Sequence, residues 1–225
     1  MQRLFDIIFS TLALLFLSPL LIPIMLLLRF SGEGEVFFTQ KRVGKGGEFF
    51  DLLKFATMLK DSPNIGTGTI TMKDDPRILP FGGLLRKTKI NELPQLINIF
   101  LGDMSVIGPR PLTKHTFSSY SSATQDAIKF VKPGLSGVQQ VVIRDEEGLL
   151  DGTSASVSFY DSVLAPYKGE LEEWYVSNKS LSIYFLTILM TVWIILAPKS
   201  SLVWRVFKDL PEPPTILKQA LNYTD

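Results

Sequence analysis

Apolar residues run almost unbroken from Leu4 to Leu28, interrupted in the middle by Ser18-Pro19 and again by Pro23. A straight helix of about 25 residues reaches roughly 37 Å, against a hydrocarbon core of about 30 Å, so the run is long enough to cross a bilayer. Pro19 and Pro23 each remove a helix N–H and crowd the preceding turn, which predicts a kink near the midpoint. Ser18 is placed to hydrogen-bond a carbonyl freed by that break. Arg3 precedes the run and Arg29 ends it, so the positive-inside bias sends neither end across. The pattern favours a re-entrant helix-break-helix, broken at Ser18 and Pro19 with both ends cytoplasmic, over a simple span. A cleaved signal peptide is not expected, because the run is too long and has no small-x-small cleavage site.

A second apolar run, Leu181 to Ala197, contains no charged residue and includes Tyr184 and Trp193. As a helix it reaches roughly 26 Å, marginal for a span. It is read as a helix lying against the membrane face or packed on the first segment. Beyond it, Pro211-Glu212-Pro213-Pro214 predicts an extended stretch, and Thr215 to Leu221 a short helix. Between the two apolar runs, Val36 to Thr39 reads as a short strand. Gln40 to Gly47 reads as a basic, glycine-rich loop suited to anionic groups, without the Gly-Lys-Ser/Thr of a P-loop. Glu48 to Met58 reads as a strand or buried loop, and Asp61 to Thr71 as a polar loop. The domain reading is a membrane segment over 1–30, a soluble domain over 31–180, an apolar helix over 181–198 and a tail over 199–225.

Composition narrows the chemistry. In 225 residues, 23 Lys and Arg stand against 22 Asp and Glu, a formal charge of +1, so no bulk positive field marks a nucleic-acid binder. The absence of cysteine removes disulfides, thiolate catalysis and Cys-based zinc sites, and fits a reducing compartment. The single histidine, His115, forms no His cluster and reads as a surface or substrate-edge residue.

The centre of the chain carries the candidate chemistry. Asn91 reads as an N-cap, Glu92 favours the positive end of a helix, and Pro94 falls in its first turn. Leu93, Leu96, Ile97, Phe100 and Leu101 supply an apolar face and Gly102 a stop, which predicts a helix over 92–101. Arg86 and Lys87 lie just upstream of its N-terminus, and Arg110 sits between Pro109 and Pro111, whose rings stiffen the backbone that carries it. Arg86 and Arg110 are first candidates for phosphate contacts. The same residues also suit surface ion pairs and a plain helix cap.

At these residues the chain resembles the monotopic phosphoglycosyl transferases, also called bacterial sugar transferases. The resemblance covers roughly residues 1–190. It rests on Phe5-Asp6, Ser18-Pro19, Phe38-Thr39-Gln40-Lys41-Arg42-Val43-Gly44, Lys54-Phe55-Ala56-Thr57-Met58 and Asp75-Pro76-Arg77. It continues through Leu93-Pro94-Gln95-Leu96, Gly102-Asp103-Met104-Ser105, Gly108-Pro109-Arg110-Pro111, Lys132-Pro133-Gly134-Leu135-Ser136-Gly137 and Tyr175-Val176-Ser177-Asn178. The resemblance implies an α+β fold: a re-entrant membrane helix with a small, mostly helical cytosolic catalytic domain and interfacial helices. It implies transfer of a sugar 1-phosphate from a nucleoside diphosphate sugar to polyprenyl phosphate, with Mg²⁺ as cofactor, at the cytoplasmic face of the bacterial inner membrane. Such enzymes start surface glycan assembly, and a homo-oligomer or other pathway enzymes are the further partners it allows. Lys54, Arg42 and Arg144 join the phosphate candidates because each falls in a matching motif, and Gln140 persists beside Arg144.

One departure bears on mechanism. The family pattern has Asp-Glu before Leu-Pro-Gln, with the Asp as covalent nucleophile; here the pair is Asn91-Glu92. A neutral amide is not a nucleophile, and its oxygen is a poorer Mg²⁺ ligand than a carboxylate. Asn91 and Glu92 are the catalytic candidates, the metal ligands are left unassigned, and three explanations stand open: an engineered change, a variant with another mechanism, or a catalytically impaired membrane scaffold of the same fold. Ala56 stands where the family has a basic residue. Val138, Val142 and Ile143 stand where the family has Trp, Asn and Gly, and are read as making the pocket less polar.

Overall fold

The computed structural model describes residues 1–65, 75–143, 159–221 and 223. Within them the architecture is helix-rich α+β, with two small two-stranded sheets and one long N-terminal apolar helix. That helix, α1 (Gln2–Arg29), runs without interruption through both Pro19 and Pro23, so one helix stands where a helix-break-helix was expected. The local reason is legible at Ser18. Pro19 has no N–H to give the Leu15 carbonyl, and Ser18 Oγ donates to that carbonyl at 2.8 Å, replacing the lost bond. At 28 residues α1 extends about 42 Å, and Leu12, Leu15 and Phe16 stand exposed along it.

The chain divides into two compact units, one of Asp6–Lys41 and Asp51–Gly102, the other of Met1–Phe5, Arg42–Phe50 and Asp103–Asp225. In the first, Leu21 and Leu28 of α1 form a core with Phe55 and Leu85, flanked by Leu14, Leu17, Ile24, Met25, Val36, Ile90 and Leu93. Strands β1 (Phe37–Val43) and β2 (Phe49–Phe55) form one two-stranded sheet. The basic loop expected over Gln40 to Gly47 is therefore strand as far as Val43, and the turn is confined to Gly44–Gly47, where Gly46 and Gly47 take positive φ. After α2 (Gly82–Lys87), Lys89 adopts a left-handed φ of 59° and opens a 3₁₀ turn over Ile90–Glu92. Helix α3 (Gln95–Leu101) ends, as the sequence predicts, on Gly102 with φ 105°.

Asn91 is thus inside a 3₁₀ turn and does not cap a helix over 92–101. Pro94 is the cause. Its missing N–H interrupts the i→i−4 ladder, Leu93 N bonds back to Ile90 O at 3.1 Å, and the α-helix starts only after the proline. Asp75-Pro76-Arg77 has a structural task. The buried Arg77 guanidinium grips Asp75 through Nε at 2.8 Å and Nη2 at 2.5 Å, and its Nη1 ties the Ser62 and Ile65 carbonyls.

In the other unit, strands β3 (Ser105–Ile107) and β4 (Gly134–Ser136) pair in parallel, Ser105 opposite Gly134 and Ile107 opposite Ser136. Around them lie α4 (Lys114–Ser118), α5 (Ser122–Lys129), α6 (Val138–Val142), α7 (Ala165–Ser177) and α8 (Leu181–Leu196). Thr113, Ser121 and Ser180 cap α4, α5 and α8 with side-chain oxygens. Helix α8 packs on β3, β4 and α6, burying Tyr184, Thr187 and Met190, while Leu189, Ile195 and Leu196 stay exposed. The tail forms α9 (Leu202–Val206), which the sequence does not predict, then a stretch outside helix and strand through 211–214, and α10 (Thr215–Leu221), where a short helix is expected. It is packed, not free: Tyr167 Oη donates to Pro211 O at 3.0 Å, Trp174 Nε1 to Lys208 O at 3.1 Å, and Phe207 and Leu217 are fully buried. Val138, Val142 and Ile143 are core residues of this unit, so their apolarity serves packing and does not line a pocket. His115 is exposed on α4, in line with the surface reading.

Candidate functional site

Two clusters of the candidate residues emerge, one in each unit. In the first, position is set by Asn98 on α3, whose side chain accepts from Leu53 N at 2.9 Å and donates to the Asp51 carbonyl at 2.8 Å. The amide thus pairs with β2 as a neighbouring strand would, and fixes the strand that carries Lys54. Lys54 Nζ meets Glu92 Oε1 at 3.0 Å, with both side chains roughly three-quarters buried. Asn91 is 6% exposed, and its Oδ1 is buried without a hydrogen-bond partner among the described residues. An orphaned acceptor of this kind is uncommon in a folded interior, where a lost partner costs about 1–3 kcal/mol. Ile90 and Leu93, on either side of the Asn91-Glu92 pair, rest in the α1 core, which ties the pair to the membrane-length helix. Arg86 sits half-buried on α2 with Nη1 3.8 Å from Met58 Sδ.

The second cluster is the Gly108-Pro109-Arg110-Pro111 turn. Ile107 O accepts from Tyr175 Oη at 3.0 Å, Gly108 N donates to Ser136 O at 3.0 Å, and Pro109 O accepts from Gly134 N at 2.7 Å. Arg110 N donates to Glu172 Oε1 at 2.9 Å, and Pro111 O accepts from Arg42 Nη1 at 3.0 Å. The backbone is pinned at five successive residues while the Arg110 side chain stands exposed. Arg42, a phosphate candidate by sequence, gives one guanidinium nitrogen to holding this turn. Gln140 lies on α6 with its Oε1 buried and unpartnered. Arg144 falls outside the described residues.

Two residues of this cluster carry no motif in the sequence. Glu172 and Lys168 on α7 are each 2% exposed. Burial pushes the Glu172 carboxyl up to about 7, opposed by the Arg110 N–H and by Lys168. Lys168 Nζ also lies 5.2 Å from the Tyr160 ring centroid. The only sequence signal is the set of large apolar residues around them, Leu164, Tyr167, Leu171, Trp174 and Tyr175, and Glu170 and Glu173 dilute it. Among the described residues, no group of three or more His, Cys, Asp or Glu side chains converges as a metal cage.

A family model described as Bacterial sugar transferase matches residues 1–198. The chain belongs to the bacterial sugar transferase family. It is 36% identical over 159 residues to the exopolysaccharide production protein ExoY of Sinorhizobium fredii, covering 64% of this chain and 70% of that protein. It is 31% identical over 195 residues to the undecaprenyl-phosphate galactose phosphotransferase of Salmonella typhimurium, covering 80% of this chain and 37% of that protein. It is 34% identical over 191 residues to the UDP-glucose:undecaprenyl-phosphate glucose-1-phosphate transferase of Escherichia coli, covering 84% and 39%. The chain thus matches under half the length of these two named phosphotransferases. Both clusters fall inside the part of this sugar transferase that the family spans, and the tail beyond 198 lies outside it.

Proposed function

We propose that this bacterial sugar transferase moves a sugar 1-phosphate from a nucleoside diphosphate sugar to polyprenyl phosphate. An oxygen of the polyprenyl phosphate attacks the sugar-bearing β-phosphorus, the bond from that phosphorus to the bridging oxygen breaks, and a nucleoside monophosphate leaves. The attacking phosphate monoester, with a second pKa near 6, is already an anion at neutral pH, so no base has to remove a proton from it. What the step needs is neutralisation of charge and alignment. This is why Asn91, which cannot act as a nucleophile, is compatible with a single direct displacement. The observation that carries the reading is the Lys54–Glu92 pair next to the orphaned Asn91 Oδ1, on a segment seated against a membrane-length helix.

Glu92 and Asn91 Oδ1 are the oxygens that would hold Mg²⁺, an ion that keeps several waters and takes one or two carboxylates plus substrate phosphates. When bound, it supplies neutralisation of charge on the diphosphate oxygens. Lys54 holds the Glu92 carboxylate, and Arg86, in the same unit, is assigned to a phosphate contact; for Arg110, Arg144 and Gln140 a phosphate or sugar role rests on the motifs that carry them, not on their placement. The test is release of nucleoside monophosphate that depends on both polyprenyl phosphate and Mg²⁺. Glu92→Gln is expected to lower it by about 10²-fold or more; unchanged turnover in that variant removes Glu92 from the chemistry.

A second reading, a scaffold without turnover, draws on the same Asn91 and is separated by that assay. For topology, we propose that α1 bends at Ser18-Pro19, its helical hydrogen bonding kept, so that it enters and leaves on the cytoplasmic face with the soluble residues on that side, as Arg3 and Arg29 at its two ends favour. A tag at Met1 should then be protected from reagents on the far side, and labelling from there would make α1 a simple span.

A further inference from the structure

Helix α7 presents two side chains, one turn apart, to the turn that carries Arg110. Tyr175 Oη donates to Ile107 O at 3.0 Å, and Glu172 Oε1 accepts from Arg110 N at 2.9 Å. The pairing is complementary: a donor meets the Ile107 carbonyl, which also accepts from Gln2 Nε2 at 3.2 Å, and an acceptor meets the Arg110 amide, so the helix holds the turn at two points. Resting on the reading of Arg110 as a phosphate contact, we propose that Glu172 is a positioning residue, which fixes the Arg110 backbone so that the exposed guanidinium is held ready for phosphate.

A merely structural account leaves the choice of residue unexplained. Glu172 is 2% exposed, and its second oxygen, Oε2, is buried with no hydrogen-bond partner among the described residues. An acid in that setting is a poor way to fill a core, as its raised carboxyl shows. What it offers is a strong acceptor to one backbone amide, and that amide belongs to Arg110. The neighbouring attachments serve the same turn. Arg42 Nη1 reaches Pro111 O, and Gly134 N reaches Pro109 O. With the backbone tied at Pro109 O, Arg110 N and Pro111 O, the Arg110 side chain starts from a fixed point, and an error of 1 Å there can cost about 10²-fold.

The test uses the full chain in detergent or nanodiscs. Glu172→Met keeps length and bulk but removes the acceptor, with Glu172→Leu as substitute should Met not fold; Glu172→Gln retains an acceptor oxygen. Hydrogen exchange at the Arg110 amide is expected to quicken by about tenfold or more in the apolar variant and to stay near the parent in Gln. Transfer should fall about 30-fold in the apolar variant, chiefly in kcat, and recover to within about threefold in Gln. In an Arg110→Ala background the apolar substitution should cost less than about threefold, because its effect passes through Arg110.

Unchanged exchange at Arg110 overturns the proposal, as does an apolar-variant loss that is equally large without the Arg110 side chain. Failure of both apolar variants to fold while Gln folds normally assigns Glu172 to the fold alone, and overturns it too. A parent chain with no transfer from any nucleotide sugar, or one in which Arg110→Ala costs nothing, defeats the functional reading instead. Exchange at the Arg110 amide still decides the anchoring in that case.

Discussion

Asn91→Asp is expected to raise turnover by roughly 10²-fold to 10³-fold, the scale on which a nucleophile matters, and to give a sugar-phosphate adduct trapped with nucleotide sugar alone. The exchange is nearly isosteric. Asn91 lies in a 3₁₀ turn whose neighbours Ile90 and Leu93 are held in the α1 core, so the backbone has no reason to move. Its Oδ1 already has no hydrogen-bond partner to lose. The new carboxylate would be desolvated at a position 6% exposed and would adjoin Glu92, so both burial and like charge raise its pKa. The gain should therefore grow as pH rises through that raised pKa, where the carboxylate ionises.

The unmodified chain, acting by direct displacement, should turn over slowly and form no adduct. An adduct on the unmodified chain would sink direct displacement. A parent with no turnover beside an active Asn91→Asp variant would make the present chain a scaffold. Turnover by both, lost in Glu92→Gln, leaves a Glu92-centred mechanism standing.

Much of the architecture was legible where one local pattern decides the outcome. The apolar run gives α1, the Leu181 run gives α8, Gly102 stops α3, and a short helix follows the Pro-rich stretch at Thr215. Legibility failed where two local rules compete. Asn91 obeys the N-cap rule and Pro94 the first-turn rule, yet the missing Pro94 N–H splits the expected helix. Pro19 obeys the breaker rule and Ser18 bonds the carbonyl it frees, as its sequence position suggests, yet which of the two decides the helix is not legible locally.

The candidate site was legible as residue types and not as roles. Lys54 and Glu92 are far apart in sequence, and their pairing depends on Asn98 acting as a strand edge, which no periodicity reveals. Arg42 is a phosphate candidate through its motif, and the motif does not show that its Nη1 also holds the Pro111 carbonyl. Lys168 and Glu172, four apart on a helix, would ordinarily be a solvent-facing ion pair worth a few tenths of a kcal/mol. Only the tertiary surroundings make them buried.

Gly134→Ala is expected to destabilise the protein by about 3 kcal/mol or more, whereas Gly83→Ala should be neutral or stabilise by up to about 1 kcal/mol. The contrast follows from what a methyl group would meet. A Cβ on Gly134 would lie 2.1 Å from Gly108 N, 2.4 Å from Ser136 O and 2.6 Å from Gly108 O, all backbone atoms that no rotamer change can move. A Cβ on Gly108 would meet Lys132 O at 2.4 Å, and one on Gly137 would meet Gly108 O at 2.2 Å. Gly108-Pro109-Arg110-Pro111 and Lys132-Pro133-Gly134-Leu135-Ser136-Gly137, separate in the sequence, are thus one interlocked piece of backbone. Three glycines allow β3 and β4 to approach closely enough for the Arg110 turn to be tied down.

Gly83, on α2, has nothing within 4 Å of a built Cβ, so alanine there only removes backbone freedom from the unfolded chain. Thermal or denaturant melting of the two variants in the same detergent measures the difference. Gly134→Ala should also lose transfer at temperatures where it is still folded, because the strand shift carries the Arg110 backbone with it. Melting within about 0.5 kcal/mol of the parent would mean that β4 yields at no cost, and the rigid presentation of Arg110 would fail with it.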